Sequence, residues 1–184
     1  MSFLLNLLSS GLIASSSGTP SSSEVSPSDV DFSVGLASRY MEIQKQDEDI
    51  RTKTLYGAEL VLRVFPHSNI NKYFFLGFGA QFLTNHYKQK VDYDYYYFPF
   101  GLDFDKFGVY YSFGSGTLKG YHEKELYISD DDGIYIYFKT NNLYLHIGKT
   151  NLRIHEKDDT IFSYHNKTPS YVGESFNVSL QYTF

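Results

Sequence analysis

The chain has 184 residues, a formal net charge of −5 and a mean hydropathy of −0.33, which fits one domain and leaves no basic stripe to neutralise a nucleic-acid backbone. Cysteine is absent, so disulfide frameworks, thiol catalysis and thiolate metal sites are excluded. The aromatic residues are all Tyr and Phe, a bias toward strands; after the amino-terminal segment no apolar run is long enough for a membrane helix, a test that does not detect alternating membrane strands.

Phe3 to Ala14 is a short apolar run, followed by a Ser-rich stretch containing Pro20 and Pro27. Residues 1–30 are expected to be a leader separate from the folded body, a signal peptide with cleavage near Ala14 to Ser17 being one reading of it. No Lys or Arg precedes the apolar run, which makes the export signal atypical.

Residues 31–184 read as a β-barrel domain of eight alternating segments. Phe32 to Tyr40, Tyr56 to Val64, Phe74 to Thr84, Tyr93 to Asp103 and Phe107 to Gly116 each set large apolar residues against small or polar ones. Ile134 to Lys139 and Leu143 to Ile154 follow, joined by the hairpin turn Asn141-Asn142. In the second of these the phase slips near Lys149 to Asn151, which predicts a bulge or a membrane boundary. The last strand, Ser175 to Phe184, alternates without a break: Phe176, Val178, Leu180, Tyr182 and Phe184 against Asn177, Ser179, Gln181 and Thr183. At about 3.3 Å per residue and a tilt near 40°, roughly ten residues cross about 25 Å, the height of an outer-membrane apolar band.

The connections are sorted. Glu42 to Lys53, Leu118 to Asp132 and His155 to Glu174 are long and hydrophilic, whereas Pro66 to Lys72, Asp103 to Lys106 and Asn141-Asn142 are compact. Long odd connections, apart from the short third one at Lys88 to Asp92, and short even ones are the pattern of extracellular loops and periplasmic turns. The small-residue face is rich in Gly, Ser, Ala, Asn and Gln, which suits the narrow lumen of an eight-stranded barrel better than a solvated surface. The large apolar face is therefore expected to meet lipid. Arg39, Glu59 and Arg63 fall on the lumen face and are expected to form an internal ion network, Glu59 pairing with one of the arginines, because an isolated buried ion is costly. The run Tyr93, Tyr95, Tyr96, Tyr97, Phe98 suits an aromatic girdle near the long-loop end, or an ordinary aromatic strand.

This pattern, from Phe32 to the closing Val178-Ser179-Leu180-Gln181-Tyr182-Thr183-Phe184, resembles the small eight-stranded bacterial outer-membrane barrels of the OmpA-like type. The resemblance implies an all-β, antiparallel up-and-down transmembrane barrel in the bacterial outer membrane, in contact with outer-membrane lipid. It also implies the barrel-assembly machinery as a partner, with Val178, Leu180, Tyr182 and Phe184 as the recognition positions. Fold analogy alone does not transfer a function.

Catalytic signals are weak. His67, His86, His122, His146, His155 and His165 show no close metal spacing and read as surface or loop histidines. Gly77-Phe78-Gly79 and Gly114-Ser115-Gly116 open no helix and are not phosphate loops. Asp130-Asp131-Asp132-Gly133 lacks the spaced ligands of a calcium loop and reads as solvated. Tyr164-His165-Asn166-Lys167, with Glu174, resembles in outline the lipid A deacylase barrels, but Lys167 stands where that family places its Ser nucleophile. The expectation is an outer-membrane barrel without a cofactor, its lumen filled and not a general pore, with a structural or surface-interaction role at an unknown extracellular partner. The alternatives are a soluble lipocalin-like barrel holding an apolar ligand, and a lipid A deacylase-like enzyme using His165 and Glu174.

Overall fold

The computed structural model describes residues 29–45, 51–66, 74–85, 91–104, 106–121, 124–156 and 169–184; the leader up to residue 28 lies outside them. Eight strands follow in order: β1 Asp29–Lys45, β2 Arg51–Phe65, β3 Phe74–Asn85, β4 Val91–Asp103, β5 Phe107–Tyr121, β6 Lys124–Thr140, β7 Leu143–Glu156 and β8 Tyr171–Thr183. Each pairs antiparallel with the next, and β8 pairs with β1, from Ser33↔Thr183 to Lys45↔Tyr171, so the sheet closes into a barrel without a free edge. The expected all-β, eight-stranded up-and-down barrel is the fold observed.

Alternation decides which residues enter the lumen. Along β8, Ser175, Asn177, Ser179, Gln181 and Thr183 are buried while Phe176, Leu180 and Tyr182 are exposed on the outer wall. The same holds for Tyr96, Phe98, Phe100 and Leu102 on β4 and for Phe107, Val109, Tyr111 and Phe113 on β5. The result is an apolar belt around a polar interior, the reverse of a soluble ligand-binding barrel. Asn141 takes a left-handed φ of 50° in the β6–β7 turn, a conformation Asn tolerates better than most residues.

The strands extend beyond the belt at the long-connection end, and there the pattern inverts. On β1 the outward Phe32, Val34 and Leu36 give way to the inward Met41 and Ile43; on β7 the outward Leu143 and Leu145 give way to the inward Leu152 and Ile154. Above the belt the outer wall meets water, so apolar side chains are stabilised only inside. Leu55, Leu83, Val91, Leu118, Leu126, Ile128 and Tyr171 complete this inner apolar layer. The slip at Lys149 to Asn151 is therefore the upper end of the outward apolar belt and not a bulge: β7 keeps strict alternation there.

The bulge lies on β6 instead. Leu126 and Ile128 face inward, and Ile134, Ile136 and Phe138 face outward, although all five are even-numbered. The register shift between Ile128 and Asp130 changes the phase and turns Asp131 into the lumen. Leu118 to Asp132 is thus not a long loop, because most of it is the β5–β6 hairpin. Likewise Glu42 to Lys53 reduces to a connection over 46–50, since Ile43 pairs with Arg51. Both stretches look hydrophilic because their outer face is wet.

Candidate functional site

The lumen is packed in three layers. The apolar layer described above closes the long-connection end. At the short-turn end Phe75, Tyr110, Tyr135, Tyr137 and Tyr144 form an aromatic cluster, with Tyr110 stacked on Tyr135 at 4.8 Å. Between them lies a hydrogen-bonded network containing two arginines and two carboxylates.

Arg39, from β1, is fully buried and ion-paired with Asp131 of β6. Its guanidinium also contacts the Tyr93 hydroxyl and donates to Ser175 Oγ and Thr150 Oγ1, both at 2.9 Å. Tyr93 OH in turn donates to Asp131 Oδ2 at 2.9 Å. Glu59, from β2, accepts from Tyr97 OH at 2.6 Å, Gln81 Nε2 at 2.7 Å and Gln181 Nε2 at 2.6 Å. Arg63 donates to Ser33 Oγ and to Gln181 Oε1, both at 2.9 Å. It also lies 3.0 Å from Nε2 of His146, whose Nδ1 is 3.1 Å from Tyr110 OH. An arginine can only donate, so Nε2 accepts and Nδ1 carries the ring hydrogen, directed at Tyr110.

Arg39, Glu59 and Arg63 thus all lie in the lumen, buried. Among the described residues Glu59 meets no arginine directly: Gln181 bridges it to Arg63, and Gln81 reaches toward Arg39 at 3.5 Å. The carboxylate that pairs with Arg39 is Asp131. Asp131, expected in a solvated loop, is a lumen residue because the β6 bulge turns it inward. His146 is likewise a lumen residue and not a surface histidine, and the alternation of β7 against Leu145 and Ile147 was the signal for it. His155 is also buried, its Nε2 3.0 Å from Ser129 Oγ.

The aromatic run on β4 divides between the two faces. Tyr93, Tyr95 and Tyr97 point into the lumen, where Tyr95 and Tyr97 stack at 5.5 Å; a Cβ on Gly79 would collide with the Tyr97 ring, so that glycine provides the seat for it. Only Tyr96 and Phe98 lie outside. The girdle at the upper edge of the belt comes from several strands, in Tyr40, Tyr56 and Tyr96.

At the closing strand, Leu180, Tyr182 and Phe184 are exposed on the outer wall, and Phe184 stacks on Phe32 at 6.3 Å. Glu174 is also on the outer wall, 2.7 Å from Lys149 Nζ; His165 lies outside the described residues. Among the described residues no group of three or more His, Cys, Asp or Glu side chains could hold a metal ion.

No protein-family model and no curated protein matches the chain. Among solved structures it is similar to Ail, the attachment invasion locus protein of Yersinia pestis, in complex with the heparin analogue sucrose octasulfate. That likeness has 12% identity, covers 85% of this chain and 99% of the other, and has a TM-score of 0.54. A second structure of Ail gives 10% identity, coverage of 84% and 98%, and a TM-score of 0.50. Neisserial surface protein A gives 10% identity, coverage of 83% and 97%, and a TM-score of 0.44. At these identities the likeness to Ail is one of fold: a small eight-stranded outer-membrane-type β-barrel.

Proposed function

We propose, from a barrel of this fold with a lipid-facing belt and a filled lumen, that the chain resides in the bacterial outer membrane and acts there in surface interaction rather than as a pore or an enzyme. The observation that supports this reading is the continuous filling of the lumen, apolar side chains over a charged network over an aromatic cluster. Such an interior gives solute no path. What reaches beyond the lipid is the outer end of the strands and the connections over 46–50, 86–90, 122–123 and 157–170. The strands there have an apolar core inside and a wet outer face, so they form a rigid platform for those connections. Ail was crystallised with a heparin analogue, and that ligand is not carried over to this chain.

The test compares bacteria displaying the full chain with bacteria displaying a chain in which residues 157–168 are replaced by a short Gly/Ser connection. Both are applied to arrayed matrix proteins and glycans, heparin included. Binding that depends on the native segment is expected, together with no stepwise conductance in planar bilayers. Equal binding by both strains, or stable conductance steps, would overturn the proposal. Fatty-acid release from lipopolysaccharide by the purified protein, abolished in His165→Ala, would replace it with the enzymatic reading.

A further inference from the structure

The outward aromatics of the belt are distributed unevenly. Along β1 and β8 they stand toward the ends of the outward row, Phe32 and Tyr40 on the one and Phe176 and Tyr182 on the other, with aliphatic or small side chains between. That is the interfacial arrangement of a wall that meets lipid. On β4 and β5 aromatics occupy the middle of the row as well: Phe98 and Phe100, Tyr111 and Phe113. Rings on β3, β4 and β5 neighbour one another in an unbroken path, Phe82 to Tyr96 at 6.1 Å, Tyr96 to Phe78 at 6.3 Å, Phe78 to Phe98 at 5.5 Å, Phe98 to Phe113 at 5.7 Å and Phe113 to Phe100 at 6.2 Å. Ala80 lies between Phe78 and Phe82 on the outward row of β3, buried among them, and its small side chain leaves a recess in the wall. Just above, Lys119 Nζ lies 3.4 Å from Asp94 Oδ2, the two side chains 50% and 37% exposed, beside a concavity of about 260 Å³ that both of them line.

We propose that this aromatic wall is the contact face of a homodimer in the membrane, with a second copy of the chain as its occupant. Lipid tails are as apolar as Leu, so association there is driven by close packing and polar contacts and not by burial of apolar surface. Rings already packed on one another lose little freedom when a partner covers them, and a partner's ring seated in the recess at Ala80 gains dispersion contacts at a fixed position. The charges select a second copy. A two-fold axis along the membrane normal keeps every residue at its own height and makes the contact isologous. Lys119 of one copy then meets the partner's Asp94, and Asp94 meets the partner's Lys119, with the concavity giving the incoming lysine room. The pair within one chain is wet and weak, so exchanging it between copies costs little. The contact is independent of what the outer connections bind; it carries two sets of them on one base, which raises avidity for a repeated ligand.

The chain has no cysteine, so a single introduced one reports its own surroundings. Ser115 pairs with Tyr96 beside the aromatic wall, and Ser38 is on the outward row of β1, four strands away around the ring. The full chain carrying Ser115→Cys or Ser38→Cys is refolded into vesicles at rising lipid-to-protein ratios and treated with a bismaleimide. Ser115→Cys is expected to give a cross-linked dimer that persists on dilution and exceeds that of Ser38→Cys several-fold. Adding Phe78→Leu, Phe98→Leu and Phe113→Leu, which keep the wall apolar, should lower the dimer fraction several-fold, with heat-modifiable mobility checking that each variant is folded. In the Ser115→Cys chain, Asp94→Lys and Lys119→Asp should each dimerise less alone and recover when the two are mixed, because only the mixed dimer sets unlike charges together at both contacts. Equal cross-linking of the two cysteine variants, a Ser115→Cys dimer that falls in proportion to dilution, an unchanged dimer in the triple Leu variant or no recovery on mixing would overturn the proposal. So would a monomer that retains a copurified lipid or a different protein on this face.

Discussion

Arg39 on β1 and Asp131 on β6 form an ion pair across the lumen with neither side chain exposed at all. They are far apart in sequence and meet only because the barrel closes and β6 carries its bulge. Removing one partner of a buried pair leaves an uncompensated charge. Asp131→Ala is expected to destabilise the barrel by about 3–5 kcal/mol, whereas replacing both residues by apolar ones of similar volume should cost far less. Urea unfolding in lipid bilayers across the full double-mutant cycle checks this; equal losses in the single and double variants would disprove the coupling.

Among the described residues Glu59 has no arginine partner, but it accepts three hydrogen bonds, from Tyr97, Gln81 and Gln181. We infer that it joins the Arg39 and Arg63 halves of one network. In Glu59→Gln an amide N–H₂ must face donors, and at least one of these bonds is lost, for an expected cost of about 1–3 kcal/mol. Unchanged unfolding of this variant would mean that the network contributes nothing to stability.

The inversion along β7 predicts two kinds of leucine on one strand. Leu152 is in the inner apolar layer, and Leu152→Ala should cost about 2–5 kcal/mol, as in a water-soluble core. Leu145 faces lipid, which can close over a truncated side chain, so Leu145→Ala should cost less; Leu145→Arg, a charge on the lipid face, should cost about 2–4 kcal/mol near the midplane. If Leu152→Ala proves no worse than Leu145→Ala, the boundary has been placed wrongly.

Phe184 donates its backbone N–H to Phe32 O at 3.0 Å, and its ring contacts those of Phe32 and Tyr182. The resemblance of β8 to an assembly signal predicts a loss that is kinetic and cellular. Phe184→Ala should lower the amount of folded barrel in the outer membrane several-fold while leaving refolding into detergent micelles nearly intact. A comparable loss in both settings would indicate that the ring matters for barrel stability and not for recognition.

Much was legible in the chain. Strands with period two, one apolar face and one small polar face point to a closed antiparallel barrel, and the scarcity of charge on the small-residue face favours lipid outside over a soluble barrel with its apolar face inward. That logic placed Asn177, Ser179 and Gln181 in the lumen and located Arg39, Glu59 and Arg63 there without any coordinates. Only the tertiary structure decided how far the strands extend and what meets what. Above the belt the solvent outside changes from lipid to water, so Met41, Leu126 and Leu152 turn inward and the same hydrophilic pattern that reads as loop is strand. A one-residue bulge at Ser129–Asp130, invisible to periodicity, reverses the phase of β6 and sends Asp131 to Arg39. The partners of a buried charge depend on closure and register around the whole ring, and those are long-range quantities that no local stretch of sequence contains.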